Sequence, residues 1–294
     1  MRSWWRDLTD LVLPAECGGC GAPRAVLCAR CRTALSGGVP RRVRPVPQPR
    51  GLPVVYAAGR YEDEVRAALL AHKERGALAL AGALGVALAG AVRGVVGGGC
   101  GVWGEPEVWS ESGAWGEPAV WGARGTWGGP QVPVLLVPVP SARRAVRARG
   151  HDPARRIALA AAGELRRGGT AARVLSVLRQ RRPVADQAAL SAARRMENLA
   201  GALTVARGAG ELLVDGRIVL VDDLITTGAS LAEAARAVRV ALGARAVRTE
   251  TGGMTVGVGG KSMGQGRPVG KGAGETICAA VVAAPPDSFE INRN

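Results

Sequence analysis

The most informative pattern in the chain is an apolar run at 218–221, whose four branched residues show no polar alternation. Such a run is typical of a strand buried on both faces of a parallel sheet. Acidic, small and hydroxylated residues follow at 222–230, and apolar residues then recur at helical spacing across 231–242. The pattern predicts a strand, a turn and a helix in succession, and open α/β sheets bind their ligands at such turns.

Similar patterns elsewhere predict that strands and helices alternate along the chain. The predicted strands lie at 54–58, 134–140, 174–178 and 276–282. The predicted helices lie at 61–70, 77–96 and 157–165. This alternation predicts an α/β fold built on a parallel, Rossmann-like sheet.

The turn after 218–221 has the residue types of a phosphate site. It contains five small or hydroxylated residues, Thr226, Thr227, Gly228, Ala229 and Ser230. Their backbone N–H groups, their hydroxyls and the following helix dipole all favour an anion. Asp222 and Asp223 would repel a phosphate at contact distance, so they suit sugar hydroxyls or a divalent cation. A phosphorylated ribose with Mg²⁺ would suit both the turn and the acidic pair. The alternative is an ordinary turn that caps the helix, with the acidic pair facing solvent.

A second anion site is predicted where the strand at 134–140 ends. Ser141 is followed by Arg143, Arg144, Arg147 and Arg149. Guanidinium groups suit the several oxygens of a pyrophosphate, and the alternative is a basic, solvated loop.

Lys73 lies in a polar break after the predicted helix at 61–70. It is a further candidate for binding the pyrophosphate, although a solvated helix end is the commoner setting for such a residue.

Two CxxC pairs near the N-terminus predict a metal site. Cys17 and Cys20 form one pair, and Cys28 and Cys31 form the other. Four thiolates complete the tetrahedron of a structural Zn²⁺ ion and leave no open catalytic position. The alternatives are two disulfides, which a cytosolic chain disfavours, or a redox CxxC, which the duplication disfavours.

Composition adds limits to this picture. The chain has 294 residues, 47% of them hydrophobic, and can bury a substantial core. Its net charge of +15 attracts phosphates and nucleic acid, but an arginine excess also arises from a GC-rich genome. Asp7 and Asp10 stand where a signal peptide would be apolar, and charges or glycines interrupt the apolar stretches. We therefore expect a cytoplasmic protein without membrane insertion.

The predicted organisation has two parts. Residues 1–45 form a zinc-ribbon-like module and linker, and 46–294 form the main domain. The proline-rich stretch 36–53 is expected to cross the surface without forming an element. A Trp/Gly repeat at 97–130 predicts a low-complexity insertion, and 249–275 predict a Gly-rich loop.

The acidic pair and its turn resemble the phosphoribosyl-pyrophosphate (PRPP) motif of type I phosphoribosyltransferases. Together with Val-Pro-Val-Pro-Ser-x-Arg-Arg-x-x-Arg-x-Arg-Gly at 137–150, Gln187-x-x-Leu-Ser-x-x-x-Arg195, and the paired CxxC knuckles, the chain resembles the ComF family. His151-Asp152 departs from the Phe-Asn usual in that family.

The resemblance implies a type I phosphoribosyltransferase fold and a role for each motif. Asp222 and Asp223 would contact the ribose hydroxyls as catalytic residues, and 226–230 would bind the 5′-phosphate. Ser141, Arg143, Arg144 and Lys73 would bind pyrophosphate. Gln187 and Arg195 would lie near the cleft, although Arg195 equally suits a core or surface salt bridge.

Two functions follow from these expectations. The first is transfer of a phosphoribosyl group from PRPP to an unidentified acceptor, with a link to competence and DNA uptake. The alternative is a non-catalytic, nucleotide-sensing or single-stranded-DNA-binding adaptor that recruits DNA-uptake proteins.

Overall fold

A computed structural model describes residues 16–97, 132–182, 192–252 and 277–289. The strands are β1 (Arg41–Val43), β2 (Val54–Arg60), β3 (Val134–Pro138), β4 (Ala172–Val174), β5 (Leu178–Gln180), β6 (Leu203–Val205), β7 (Arg217–Leu224) and β8 (Cys278–Ala284). The α-helices are α1 (Ala29–Ser36), α2 (Asp63–Glu74), α3 (Ala81–Gly97), α4 (Arg143–Arg149), α5 (Pro153–Arg167), α6 (Ala192–Leu199) and α7 (Ala229–Gly252). Short 3₁₀ helices lie at Leu78–Leu80, Ala209–Leu213 and Pro286–Ser288.

The core of the fold is a six-stranded sheet in the order β1-β2-β8-β7-β3-β4. All neighbours pair in parallel except β1, which runs antiparallel to β2 at one edge. The prediction of a mixed α/β fold with a mostly parallel sheet is therefore confirmed. The register places Val221 of β7 beside Pro138 of β3 on one side and Ala280 of β8 on the other.

Helices cover both faces of the sheet, which explains why 218–221 is apolar throughout. Val219 and Val221 point into one hydrophobic cluster, formed with α2, α3 and α5. Ile218 and Leu220 point into a second cluster, formed with α7. Because successive side chains of a strand face opposite sides, a strand between two helical layers needs apolar residues at every position.

The order of the strands creates a crevice between β3 and β7. From β3 the chain continues through α4 and α5 to β4, on one side of the pair. From β7 it continues through α7 towards β8, on the other side and over the opposite face. Connections that diverge in this way leave a gap at the carboxyl ends of the two strands, where α/β proteins bind ligands.

A small antiparallel sheet of β5 and β6 lies against α7. The buried Glu233 carboxylate accepts the Leu203 N–H at 2.9 Å, and Arg236 donates to the Leu203 carbonyl at 2.9 Å. Arg236 also pairs with Glu233 at 2.7 Å. This ion pair therefore attaches the second sheet to the helix that follows the turn at 226–230.

Two predicted elements differ in the structure. The predicted strand at 174–178 is wrong, because β4 ends at Val174 and Leu178 begins β5 in the other sheet. The stretch 36–53 is not free of regular structure, because Arg41–Val43 adds an edge strand to the main sheet. The basic segment after β3, for which a solvated loop was the alternative to an anion site, forms the helix α4. A short apolar or basic run does not show which strand it will pair with, because the pairing depends on segments that are distant in the chain.

Several boundaries also shift. The helix predicted at 77–96 begins at Ala81 after a 3₁₀ turn, and the last strand begins at Cys278. Helix α7 extends to Gly252, so the first residues of the predicted Gly-rich loop are helical. The rest of that loop and nearly all of the Trp/Gly segment at 97–130 lie outside the described residues.

One stretch, Leu78–Gly97, is long and apolar enough to cross a bilayer by length and composition, with a mean hydropathy of 1.8. More than half of it is buried, and α3 packs between the sheet and α5. Burial of this kind is typical of a core helix in a soluble protein.

Candidate functional site

The acidic pair lies inside β7 rather than after it. Asp222 pairs in register with Val281 of β8, and the strand continues to Leu224. Strand alternation therefore directs the two carboxylates to opposite faces. Asp222 shares the face of Leu220 and α7, and Asp223 shares the face of Val221, α2 and α5. The sequence predicted two acids together at the strand end, but only the pleat shows that they differ in surroundings.

The Asp223 carboxylate is buried and is paired with Lys73. The Nζ of Lys73, in the last turn of α2, lies 2.8 Å from Asp223 Oδ2. Desolvation alone would lower the pKa of Lys73, but the charges of Asp223 and Asp222 outweigh it and raise that pKa. Lys73 is thus held as a cation beside the acidic pair.

The Asp222 carboxyl has a different electrostatic setting. Burial and the neighbouring charge of Asp223 raise its pKa well above the ordinary value, and Lys73 offsets only part of this. Its Oδ1 accepts the Asp223 N–H at 2.9 Å. A positive charge placed at the pair would therefore favour ionisation of Asp222.

The turn from Thr226 to Ser230 joins β7 to the first residues of α7. Thr226 is exposed, Thr227 and Ser230 are half-buried, and α7 begins at Ala229. The first N–H groups of a helix have no intrahelical acceptors, so this end presents donors and the positive end of the dipole. The five predicted residues therefore lie together at the carboxyl end of β7, with Thr226 exposed and Gly228 and Ala229 buried beneath it.

Gly228 is required by the shape of this turn. Its φ of +75° lies in the left-handed region, which favours glycine. A Cβ at this position would lie 3.1 Å from Leu52 and 3.2 Å from Pro45. The segment between β1 and β2 therefore packs directly on the turn, although the sequence predicted it only as a linker.

Helix α6 also reaches the turn. The Arg195 guanidinium donates to the Thr226 hydroxyl at 3.5 Å. The sequence predicted Arg195 near the cleft, and the structure brings it there. Gln187, predicted with it, lies outside the described residues.

The second predicted anion site follows β3. Ser141 donates its N–H and its hydroxyl to the Asp152 carboxylate, each at 3.4 Å. The Arg143 N–H donates to Gln180 Oε1 at 3.4 Å. Arg143 and Arg144 are exposed at the start of α4. Because Val139 N–H bonds to the Val221 carbonyl at 2.9 Å, this segment leaves the sheet beside the acidic pair.

A cavity of about 290 Å³ opens between this segment and the small sheet. Its lining includes Ser141, Arg143, Arg147, Asp152, Arg179 and Gln180. Arginine side chains on two sides of such a space suit an anion with several oxygens.

The turn between α4 and α5 connects these parts. Arg149 makes two hydrogen bonds to the Glu74 carboxylate, at 3.0 and 2.7 Å. Asp152 caps α5 by accepting the Arg155 N–H at 3.2 Å while it also binds Ser141. The end of α2, which carries Lys73, is therefore attached to the segment that carries Ser141.

The four predicted metal ligands come together at the N-terminal end of the described chain. The sulfur atoms of Cys17, Cys20, Cys28 and Cys31 all lie within 4.8 Å of one another, and Cys20 and Cys28 are 3.7 Å apart. Zinc–sulfur bonds of about 2.3 Å in a tetrahedron place sulfurs about 3.8 Å apart. The cluster can thus hold one metal ion and is consistent with structural zinc.

Hydrogen bonds from nearby N–H groups favour the thiolate form of Cys17, which is the form that binds a metal. Burial would raise the pKa of Cys17, but N–H groups of Cys28, Cys20 and Gly19 lower it to about 6. Burial and the neighbouring thiols raise the pKa of Cys31. A cation bound by the cluster would stabilise the thiolate of both residues.

The cysteine cluster shares its core with the main sheet. Cys17, Cys31 and Leu35 belong to the hydrophobic cluster that includes α2 and α3. A Cβ on Gly18 would approach Leu80 to 2.7 Å, and one on Gly19 would approach Cys31 Sγ to 2.7 Å. Both glycines of the first knuckle are therefore needed for close packing.

The comparisons with known proteins do not assign a family. No protein-family model matches the chain, and no match is found among curated proteins. The resemblance to the ComF family therefore stays a prediction that rests on the motifs.

Several contributing residues were not predicted from the sequence. Pro45 and Leu52 pack on the turn, and Gln180 and Asp152 bind the segment after β3. One local signal existed, because Gly150 followed by Asp152-Pro153 is typical of one helix ending and another beginning. The other contacts join residues far apart in the chain and have no sequence signal.

Proposed function

We propose that the protein binds PRPP with Mg²⁺ in the crevice between β3 and β7. The observation that carries this proposal is the meeting of two anion-binding segments at the ends of adjacent parallel strands. Thr226–Ser230 follow β7, and Ser141–Arg144 follow β3. PRPP carries a phosphate and a pyrophosphate at opposite ends of a ribose, so it matches two such segments with acids between them.

Each segment has its own role in this proposal. The turn at 226–230 binds the 5′-phosphate through N–H groups and hydroxyls. Ser141, Arg143 and Arg144 bind the pyrophosphate. Asp222 and Asp223 bind the ribose hydroxyls. Lys73, which is paired with Asp223, balances part of the negative charge between the two anions.

The reaction supported by this arrangement is phosphoribosyl transfer. The bond from the anomeric carbon to pyrophosphate breaks, pyrophosphate leaves with the electron pair, and an acceptor atom forms the new bond. Asp222 and Asp223, on opposite faces near the end of β7, supply negative charge close to the ribose as positive charge develops at that carbon, and the arginines after β3 stabilise the leaving group. Mg²⁺ would add charge neutralisation on the pyrophosphate.

The resemblance supports placing this protein with the ComF proteins. In that case the cysteine cluster holds a structural Zn²⁺ ion, the protein is cytoplasmic, and the activity is connected with DNA uptake.

Calorimetry with PRPP and Mg²⁺ tests the proposal. We expect the native protein to bind and Asp222→Asn/Asp223→Asn to lose binding. Asp215→Asn is the matched control, because Asp215 is exposed at the opposite end of β7. No binding by the native protein, or equal loss in the control, would refute the site.

A second candidate function is binding of single-stranded DNA. It is favoured by α4, in which none of residues 143–149 is buried and four are arginines. Phosphate contacts of this kind release counterions, so affinity for an oligonucleotide should fall steeply with salt. Arg144→Gln/Arg147→Gln should reduce the salt slope by about 1–2, because each phosphate that is no longer neutralised changes the slope by about 0.7. An unchanged slope would exclude α4 as the binding surface.

A further inference from the structure

The second sheet, formed by β5 and β6, is one wall of the cavity beside Arg143. All three residues of β5 line that cavity, namely Leu178, Arg179 and Gln180. Each of the two strands has only three residues. A pair of strands this short is at best marginally stable by itself, so its position depends on the elements that hold it.

The second sheet is held between α5 and α7. On one side, Nε of Arg155 in α5 donates to the hydroxyl of Ser176, between β4 and β5, at 3.2 Å. On the other side, the main chain of Leu203 in β6 is bonded to two side chains of α7. Helix α5 comes after the segment that follows β3, and α7 begins within the turn at 226–230. The sheet therefore connects the two sides of the crevice.

The Glu233–Arg236 pair contacts Leu203 with both of its members. Glu233 Oε1 accepts the Leu203 N–H at 2.9 Å, and Arg236 donates to the Leu203 carbonyl oxygen at 2.9 Å. The Arg236 guanidinium also makes two hydrogen bonds of 2.7 Å to the Glu233 carboxylate, which is buried. Burial alone would raise the pKa of Glu233, but Arg236 and the Leu203 N–H lower it. Leu203 is thus held by charged groups, which form the stronger hydrogen bonds.

The contact continues from Leu203 to the cavity. Gln180 is the residue opposite Leu203 in the sheet, and its Oε1 accepts the Arg143 N–H at 3.4 Å. Arg143 is the first residue of α4, so its N–H has no acceptor within the helix. A series of contacts therefore runs from α7 through Leu203 and Gln180 to Arg143.

We propose that the Glu233–Arg236 pair is a positioning element for the pyrophosphate side of the site. The pair holds the second sheet on α7, and the sheet in turn keeps Gln180 on the Arg143 N–H. Neither member of the pair is among the residues that line the cavity, so both act through Leu203 and Gln180. The assignment of pyrophosphate to this side rests on the proposed function, whereas the effect on Arg143 does not.

Substitutions at the pair test the proposal. Arg236→Met removes the bond to the Leu203 carbonyl and leaves Glu233 without its partner. Glu233→Leu/Arg236→Met removes both charges, so no unpaired charge is buried if the single variant is unstable. Glu211→Ala is the matched control, because Glu211 pairs with Arg245 at 2.6 Å and attaches the 3₁₀ helix Ala209–Leu213 to α7.

The amide NMR signal of Arg143 reports the positioning without any ligand. Gln180→Ala removes the acceptor and gives the chemical shift of the Arg143 N–H without this hydrogen bond. We expect Glu233→Leu/Arg236→Met to move the signal most of the way to that value, and Glu211→Ala to leave it in place. A role confined to the stability of the second sheet would move the Leu203 signal alone. An Arg143 signal that keeps its native position in the double variant would therefore overturn the proposal.

Two fragments of PRPP then separate positioning from general damage. Ribose 5-phosphate probes the turn at 226–230, and pyrophosphate with Mg²⁺ probes the segment after β3. We expect Arg236→Met to weaken pyrophosphate binding on the order of fivefold, the effect of losing one hydrogen bond. Its affinity for ribose 5-phosphate should equal that of the native protein, and calorimetry measures both. Equal losses for the two fragments would show general damage and overturn the proposal. If the native protein binds neither fragment, the proposed function fails, and the Arg143 signal still decides the positioning role.

Discussion

The cysteine cluster and the crevice between β3 and β7 are assembled in opposite ways. All four cysteines come from residues 17–31, within one short stretch of chain. The crevice draws on Lys73, on 141–152 and on 222–230, with Pro45 and Leu52 packed behind it. A site with local ligands is predictable from spacing. A site built from distant segments depends on the whole fold, so it is the more easily perturbed.

The largest effect should come from breaking the cysteine cluster. Cys31→Ser removes a buried ligand from a core shared with α2 and α3. Structural zinc contributes on the order of 10 kcal/mol in small zinc domains, so we expect zinc loss and a thermal midpoint lower by more than about 10 °C. Metal analysis and calorimetric unfolding measure both, with Ser36→Ala as the control on α1.

We expect substitutions in the cysteine cluster to affect the crevice, and substitutions in the crevice to leave the cysteine cluster intact. Damage to the cluster should disturb the crevice, because α2 packs on the cluster and carries Lys73. Asp222→Asn/Asp223→Asn should leave the zinc content unchanged. A cysteine variant that unfolds only locally and still binds PRPP normally would show that the two regions are independent.

Removing the partner of Asp223 should have the next largest effect. Lys73→Met leaves a buried carboxylate without its ion pair, and we expect a loss of about 2–3 kcal/mol in the free energy of unfolding. Denaturant unfolding measures this loss. Arg75→Met is the control, because Arg75 is exposed two residues further on. Equal losses in both variants would contradict a specific role for the pair.

Gly228→Ala tests the turn itself. The left-handed backbone and the close approach of Leu52 and Pro45 predict a loss of about 1–2 kcal/mol. Gly243 lies in the interior of α7, and a Cβ added there would meet no atom within 4 Å, so Gly243→Ala should instead raise the free energy of unfolding by about 0.5–1 kcal/mol. PRPP affinity should fall only in the first variant. Similar stability changes in both would mean that the turn is not constrained.

The smallest effect should be a pH dependence at His72. Burial lowers the pKa of His72 in the folded state, so below about pH 6.5 the unfolded chain binds a proton that the folded protein excludes. The stability contributed by neutral His72 is therefore present above that pH and lost as pH falls. His72→Gln should flatten this decline, by at most about 1.4 kcal/mol per pH unit. Urea unfolding across about pH 5–8 measures the slope, and a slope unchanged by the substitution would refute the assignment.

The patterns that were predicted correctly share a physical origin. The run at 218–221 needs apolar residues on both faces, and the paired CxxC spacing brings four thiols together within one short segment. The predictions that failed involve pairing partners. Leu178 was expected to continue the strand containing Val174, but it pairs with Val205 in another sheet. Arg41–Val43 became a strand because β2 offered a free edge.

Local sequence was enough to specify the α/β class, the strand-turn-helix around Thr226–Ser230 and the cysteine cluster, since each depends on residues close together in the chain. Tertiary packing was needed to establish that Lys73 pairs with Asp223, that β7 continues through the acidic pair by pairing with β8, and that His151 lies between two helix ends. These contacts join segments up to about half the chain apart. Their geometry follows from strand order and helix packing, which local periodicity does not encode.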